Sequence, residues 1–116
     1  MNDAASHPVL TADELQSVEE RWKQFTLDFA YRFDKTPTPD SALFIIGLEE
    51  RYTDKVLEKE EKQSVIAEGL YKVLALQGYF LRDANGLWTP AKPLPVLNDK
   101  QQEVFYQYAV LQYLNQ

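Results

Sequence analysis

One stretch, Val65–Thr89 (VIAEGLYKVLALQGYFLRDANGLWT), constrains the fold more than any other. Val65, Ile66, Leu70, Val73, Leu74 and Leu76 recur at helical spacing, so they form an apolar stripe along one side of a helix. Ala67 and Ala75 add helix propensity at little cost in side-chain entropy. Gly78 stands where the stripe ends, and a glycine there can close a helix in the left-handed conformation without a Cβ clash. The pattern then changes. Tyr79, Phe80 and Leu81 are strand-type residues, as are Leu87, Trp88 and Thr89. Between them lies Asp83-Ala84-Asn85-Gly86, whose Asn and Gly tolerate positive φ and predict a tight hairpin turn. Pro90 removes a backbone donor and is expected to end the second strand. A lone hairpin is marginal in water. It must lie on the helices, with Phe80, Leu87 and Trp88 as the expected contacts.

Three further helices are expected around this unit. Thr11-Ala12-Asp13-Glu14 is a capping-box signature. Behind it Leu15, Val18, Trp22, Phe25 and Phe29 form a seam along a helix of roughly five to six turns. Asp34–Asp40 holds two prolines and reads as a linker. Thr38 can cap the next helix with Pro39 at its first position. That helix, about Pro39–Tyr52, has Leu43, Phe44, Ile45, Ile46 and Leu48 and no polar face there, so it is expected to be the most enclosed. Gly47 inside it points to a close helix–helix crossing or, as a second reading, to a ligand that approaches the backbone. Thr53–Gln63 is highly charged and leads into the helix of the central stretch, with acidic residues near its N-terminus where the helix dipole favours them. Ala91–Leu97 is extended by its prolines, with Leu94, Val96 and Leu97 available as a strap on the core. Asn98 and Gln101 cap a last helix, about Asp99–Leu114, that is apolar on most sides. The expected fold is mainly α (α+β): four helices with one small β-hairpin between the third and fourth. A flexible tail, residues 1–10, precedes a single helical domain, 11–116.

Composition limits the chemistry. Hydrophobic content of 45% and aromatic content of 13% fit a folded chain. Eighteen acidic against 12 basic residues give a net charge of −6, which disfavours phosphate backbones and anionic membranes as partners. There is no cysteine, which excludes disulfides and thiolate sites and fits a cytoplasmic protein. No signal-peptide pattern or membrane-length apolar run is seen. The single histidine, His7, is expected to be exposed and inert in the tail. Ordinary zinc sites and histidine-activated serines are therefore excluded. Glu49 and Glu50, with Glu58, Glu60 and Glu61, are the only dense carboxylates, and they sit in charged segments that read as a solvated face. No catalytic, cofactor-binding or metal-binding residue is assigned, and no cofactor is expected.

The order of helices followed by GYFLRDANGLWTP resembles the end of a winged-helix domain, over roughly Pro39–Pro90. The resemblance implies that Tyr71, Lys72 and Arg82 would face nucleic acid. The acidic start of the candidate recognition helix and Asp83 beside Arg82 work against that use, because phosphate contacts supply most of the affinity for DNA. The favoured function is a non-catalytic protein-interaction or self-association module, with a protein partner or a second copy of the chain. A winged-helix-like nucleic-acid-binding domain is the alternative. With two Trp, seven Tyr and six Phe to enclose, the surplus is expected at an interface formed by Phe80, Trp88, Tyr106, Val110 and Tyr113.

Overall fold

A computed structural model describes residues 7–34, 36–48 and 57–115. Its elements are α1 (Ala12–Phe33), α2 (Pro39–Leu48), α3 (Lys59–Leu76), β1 (Phe80–Arg82), β2 (Trp88–Pro90) and α4 (Asp99–Leu114). The four helices and the antiparallel hairpin between α3 and α4 follow the expected order. Contacts group the chain into two units. One combines Met1–Pro37 with Pro95–Gln116 and holds α1 and α4; the other is Thr38–Leu94. Among the described residues no helix is long and apolar enough to cross a membrane.

The first unit is a pair of capped helices. The Thr11 hydroxyl accepts from the Glu14 amide, and the Glu14 carboxylate accepts from the Thr11 amide. Asn98 and Gln101 make the same reciprocal pair at the start of α4. These boxes satisfy first-turn amides that have no partner inside a helix. Tyr108 Oη donates to Glu14 at 2.9 Å and Arg21 Nη2 to the Leu111 carbonyl at 3.2 Å. His7 Nε2 lies 3.0 Å from the Gln101 carbonyl oxygen. These partners advance in the same sense along both helices, so α1 and α4 run parallel.

His7 corrects the sequence expectation. It is half-buried, and its Nδ1 accepts from the amides of Val9 and Leu10 at 3.0 and 3.1 Å. Because Nδ1 accepts, Nε2 carries the proton and donates to the Gln101 carbonyl. The ring ties the approach to α1 to the first turn of α4, and Leu10 is buried beside it in sequence. A lone histidine in a polar stretch gives no sequence signal of two backbone amides converging on it.

Glu14 carries a pH prediction. The Thr11 backbone amide, and after it the Tyr108 hydroxyl, hold the Glu14 carboxyl below its ordinary pKa. A folded-state pKa below the unfolded one stabilises the fold at pH above the ordinary carboxylate range. That contribution is lost as pH falls through the lowered value. Chemical denaturation of wild type and Glu14→Gln across acidic pH is expected to show a stability gap that narrows as pH falls. A gap independent of pH would contradict it.

The second unit is built on a very close helix crossing. Thr38 Oγ1 accepts from the Ser41 amide at 3.2 Å and starts α2 as expected. Ala42, Leu43, Ile46 and Gly47 of α2 are buried, as are Val65, Gly69, Val73 and Leu74 of α3. Gly47 meets the Val65 carbonyl, and Gly69 meets the Leu43 carbonyl. A Cβ on either glycine would overlap the facing oxygen and come within 2.9 Å or 2.8 Å of the carbonyl carbon. The two glycines thus bring the backbones together reciprocally, in the geometry where Cα–H···O contacts form between helices. Gly47 marks a crossing, the first of its two sequence readings. The enclosure of α2 is less complete than its composition suggests, since Ile45 is exposed. The remainder of the expected helix to Tyr52, with Glu49 and Glu50, lies outside the described residues.

Helix α3 ends as its glycine requires. Gly78 has φ +88°, the Tyr79 amide bonds the Leu74 carbonyl, and the Gly78 amide bonds the Ala75 carbonyl, each at 3.0 Å. This is the Schellman arrangement, in which a left-handed residue satisfies the last carbonyls. In the hairpin the Asp83–Leu87 and Tyr79–Ala91 pairs are hydrogen-bonded. Pairs alternate in an antiparallel ladder. Pro90, opposite Phe80, therefore falls at a position that asks for no donor, and as the last residue of β2 it ends the second strand as expected. Only Gly86 in the turn has positive φ, at +80°; Asn85 does not. The Asp83 carboxylate instead orders the turn by accepting from the Asn85 and Leu87 amides. The strap expected over Ala91–Leu97 is only partly realised: Leu97 is half-buried, Leu94 is exposed, and Val96 is 96% exposed.

Candidate functional site

The densest side-chain network in the second unit joins the hairpin to α3. Strand alternation puts Phe80, Arg82, Trp88 and Pro90 on one face and Leu81, Leu87 and Thr89 on the other. On the inner face the Tyr71 ring of α3 meets Phe80 edge-on at 4.9 Å and stacks on Trp88 at 6.0 Å. Arg82 lies over the Trp88 ring at 4.3 Å and pairs with Glu68 at 2.9 Å. Trp88 Nε1 donates to the same Glu68 oxygen at 3.1 Å. One carboxylate on α3 thus collects a donor from each strand. Aromatic pairs and cation–π contacts of this kind add to area burial when partly shielded from water. Lys92 reaches back over the Tyr79 ring at 4.3 Å. The network anchors the inner face of the hairpin on α3.

The outer face is apolar and open. Leu81 is 62% exposed and Leu87 is 63% exposed. Leu81 lies in β1 and Leu87 directly before β2, diagonal to one another across the hairpin and close enough to form one patch. Leu87 was expected on the helix beside Trp88, but consecutive strand residues point to opposite faces. With Trp88 turned inward, Leu87 must face out.

The five candidate interface residues are distributed as follows. Phe80 and Trp88 are half-buried in the second unit and are brought together by Tyr71. Tyr106, Val110 and Tyr113 belong to α4 in the first unit. Tyr106 and Tyr113 are half-buried, and the Tyr106 hydroxyl accepts from Gln102. Val110 is 0% exposed and presents no surface here. Leu81 and Leu87 were missing from that set, although the two-residue period of the strands was the signal for them. In α1, Trp22, Phe25, Phe29 and Phe33 form a continuous ladder of tilted rings with centroids 4.9, 5.7 and 4.6 Å apart. Leu27 and Tyr31, four residues apart on that helix, are exposed.

Among the described residues no three acidic or histidine side chains gather as metal ligands would. Glu61 accepts from the Glu58 amide at the start of α3, which gives one of the dense carboxylates a capping role. No family model matches this chain, and no curated protein or solved structure matches it at a significant level.

Proposed function

We propose that this chain is a non-catalytic protein-interaction module that self-associates through the outer face of its hairpin. The carrying observation is the pair Leu81 and Leu87, each more than 60% exposed on one face of a plate whose other face is fixed to α3. Exposed apolar patches on a support tied down by other contacts favour association, because less conformational freedom is left to lose on contact. The strands are three residues long and carry Pro90 at one end, which disfavours open-ended edge pairing and favours face-to-face packing. A two-fold arrangement places each patch against its own copy.

Light scattering of wild type and the Leu81→Glu/Leu87→Glu double variant tests this. The wild type is expected to form a dimer that the variant loses, with the thermal stability of the monomer unchanged within about 0.5 kcal/mol, as for exposed sites. Equal masses for both proteins would refute the assignment of the hairpin.

The winged-helix alternative rests on the order of elements. Of the residues it would use, Arg82 is paired with Glu68 and covers Trp88, and Tyr71 packs against Phe80 and Trp88. Both groups are already engaged inside the helix–hairpin unit. Retention on mixed-sequence duplex DNA at low salt would favour this alternative instead.

A further inference from the structure

We propose that the groove between α1 and α4 receives an amphipathic helix whose apolar stripe is flanked by carboxylates. The groove has a volume of about 800 Å³ and runs along the N-terminal halves of both helices. Its floor is Leu15, Val18 and Trp22 of α1 with Val104 of α4. The α1 residues lie at positions i, i+3 and i+7, which form one helical face. Only Val18 among the four is buried; Leu15, Trp22 and Val104 are half-buried. The seam is therefore half closed in this helix pair, and a third helix laid along it supplies the missing wall.

Charge selects the kind of helix. Lys23 from α1 and Lys100 from α4 edge the groove, against a single carboxylate, Glu19. Gln16 and Gln107 complete the polar margin without charge. Neither lysine forms an ion pair with another described residue, and Glu19 does not bridge to Lys23 despite its favourable spacing. On a chain of net charge −6 this margin is a local excess of cations. It is complementary to acidic flanks and repels basic ones. The groove is only partly enclosed, whereas small-molecule sites enclose most of their ligand. A helix is thus a better occupant than a free anionic amphiphile. This inference is independent of the hairpin face, which belongs to the other unit.

The test uses the full chain and two labelled synthetic helices of about five turns, each with a leucine stripe. One has glutamate flanks and the other lysine flanks. Fluorescence anisotropy is expected to show binding of the glutamate helix and roughly fivefold weaker binding of the lysine helix. Val104→Asp should weaken the first by about tenfold. The exposed double reversal Lys23→Glu/Lys100→Glu, which leaves the apolar floor intact, should invert the preference. The Leu81→Glu/Leu87→Glu variant should bind as wild type does. Equal affinity for the two helices, no binding of either, or a preference that survives the lysine reversal would overturn the proposal. So would displacement of the bound helix by decanoate at its monomeric concentrations.

Discussion

Gly69→Ala is expected to destabilise the fold by about 3 kcal/mol, toward the upper end of the cost of overpacking a core. The sign is the informative part. Alanine in place of glycine in a helix interior ordinarily stabilises by about 1 kcal/mol. Here the added methyl would overlap the Leu43 carbonyl oxygen and approach the Gly47 amide nitrogen at 3.1 Å. Both obstacles are backbone, so no side-chain rotation relieves them. The α2–α3 pair must separate, and Leu43, Ile46, Val65 and Val73, all buried, lose their close packing together. Gly47→Ala should act alike through the Val65 carbonyl. The two effects should fall short of additivity, because one separation of the helices accommodates both methyls. Denaturation midpoints of the single and double variants measure this. A neutral or stabilising Gly69→Ala would mean that the helices do not cross at these residues.

Trp88→Ala is the second large effect, at about 2 kcal/mol. The substitution removes the stack on Tyr71, the surface beneath Arg82 and the donor to Glu68 together. The loss should be local. Amide hydrogen exchange at Ala91, which bonds the Tyr79 carbonyl, and at Asp83, which bonds the Leu87 carbonyl, should accelerate well beyond exchange within α1. Trp88→Phe keeps a ring on Tyr71 and should cost only about half as much as Trp88→Ala, since it loses the bond to Glu68 but not the stack. If the hairpin amides kept wild-type protection in Trp88→Ala, the plate would not be held by its inner face.

Much of the architecture was legible because local rules and the fold agree. The capping signatures at Thr11 and Asn98, the glycine stop at Gly78 and the turn before Leu87 each act through backbone chemistry within a few residues. Gly47 was legible as a crossing, but Gly69 was not. It sits within the helical stripe of Val65–Leu76, and only the facing Leu43 carbonyl explains it. The role of His7 is hidden for the same reason, because its partners converge in space while the sequence shows only a polar tail. The hairpin's two faces could have been read from strand alternation once Trp88 was placed inward. Leu87 is as hydrophobic as the residues that face α3, but its parity, one position from Trp88, turns it to the other face. Glu68 had no sequence signal: a carboxylate amid a helix stripe takes its meaning from Arg82 and Trp88, 14 and 20 residues further on.

Sedimentation velocity of the unmodified chain, from micromolar to near-millimolar concentration, addresses the interaction assignment most directly. Self-association through the Leu81–Leu87 face predicts a boundary that shifts from monomer to dimer as concentration rises and goes no further, because a two-fold contact closes on itself. A single monomeric boundary across the whole range would contradict that account.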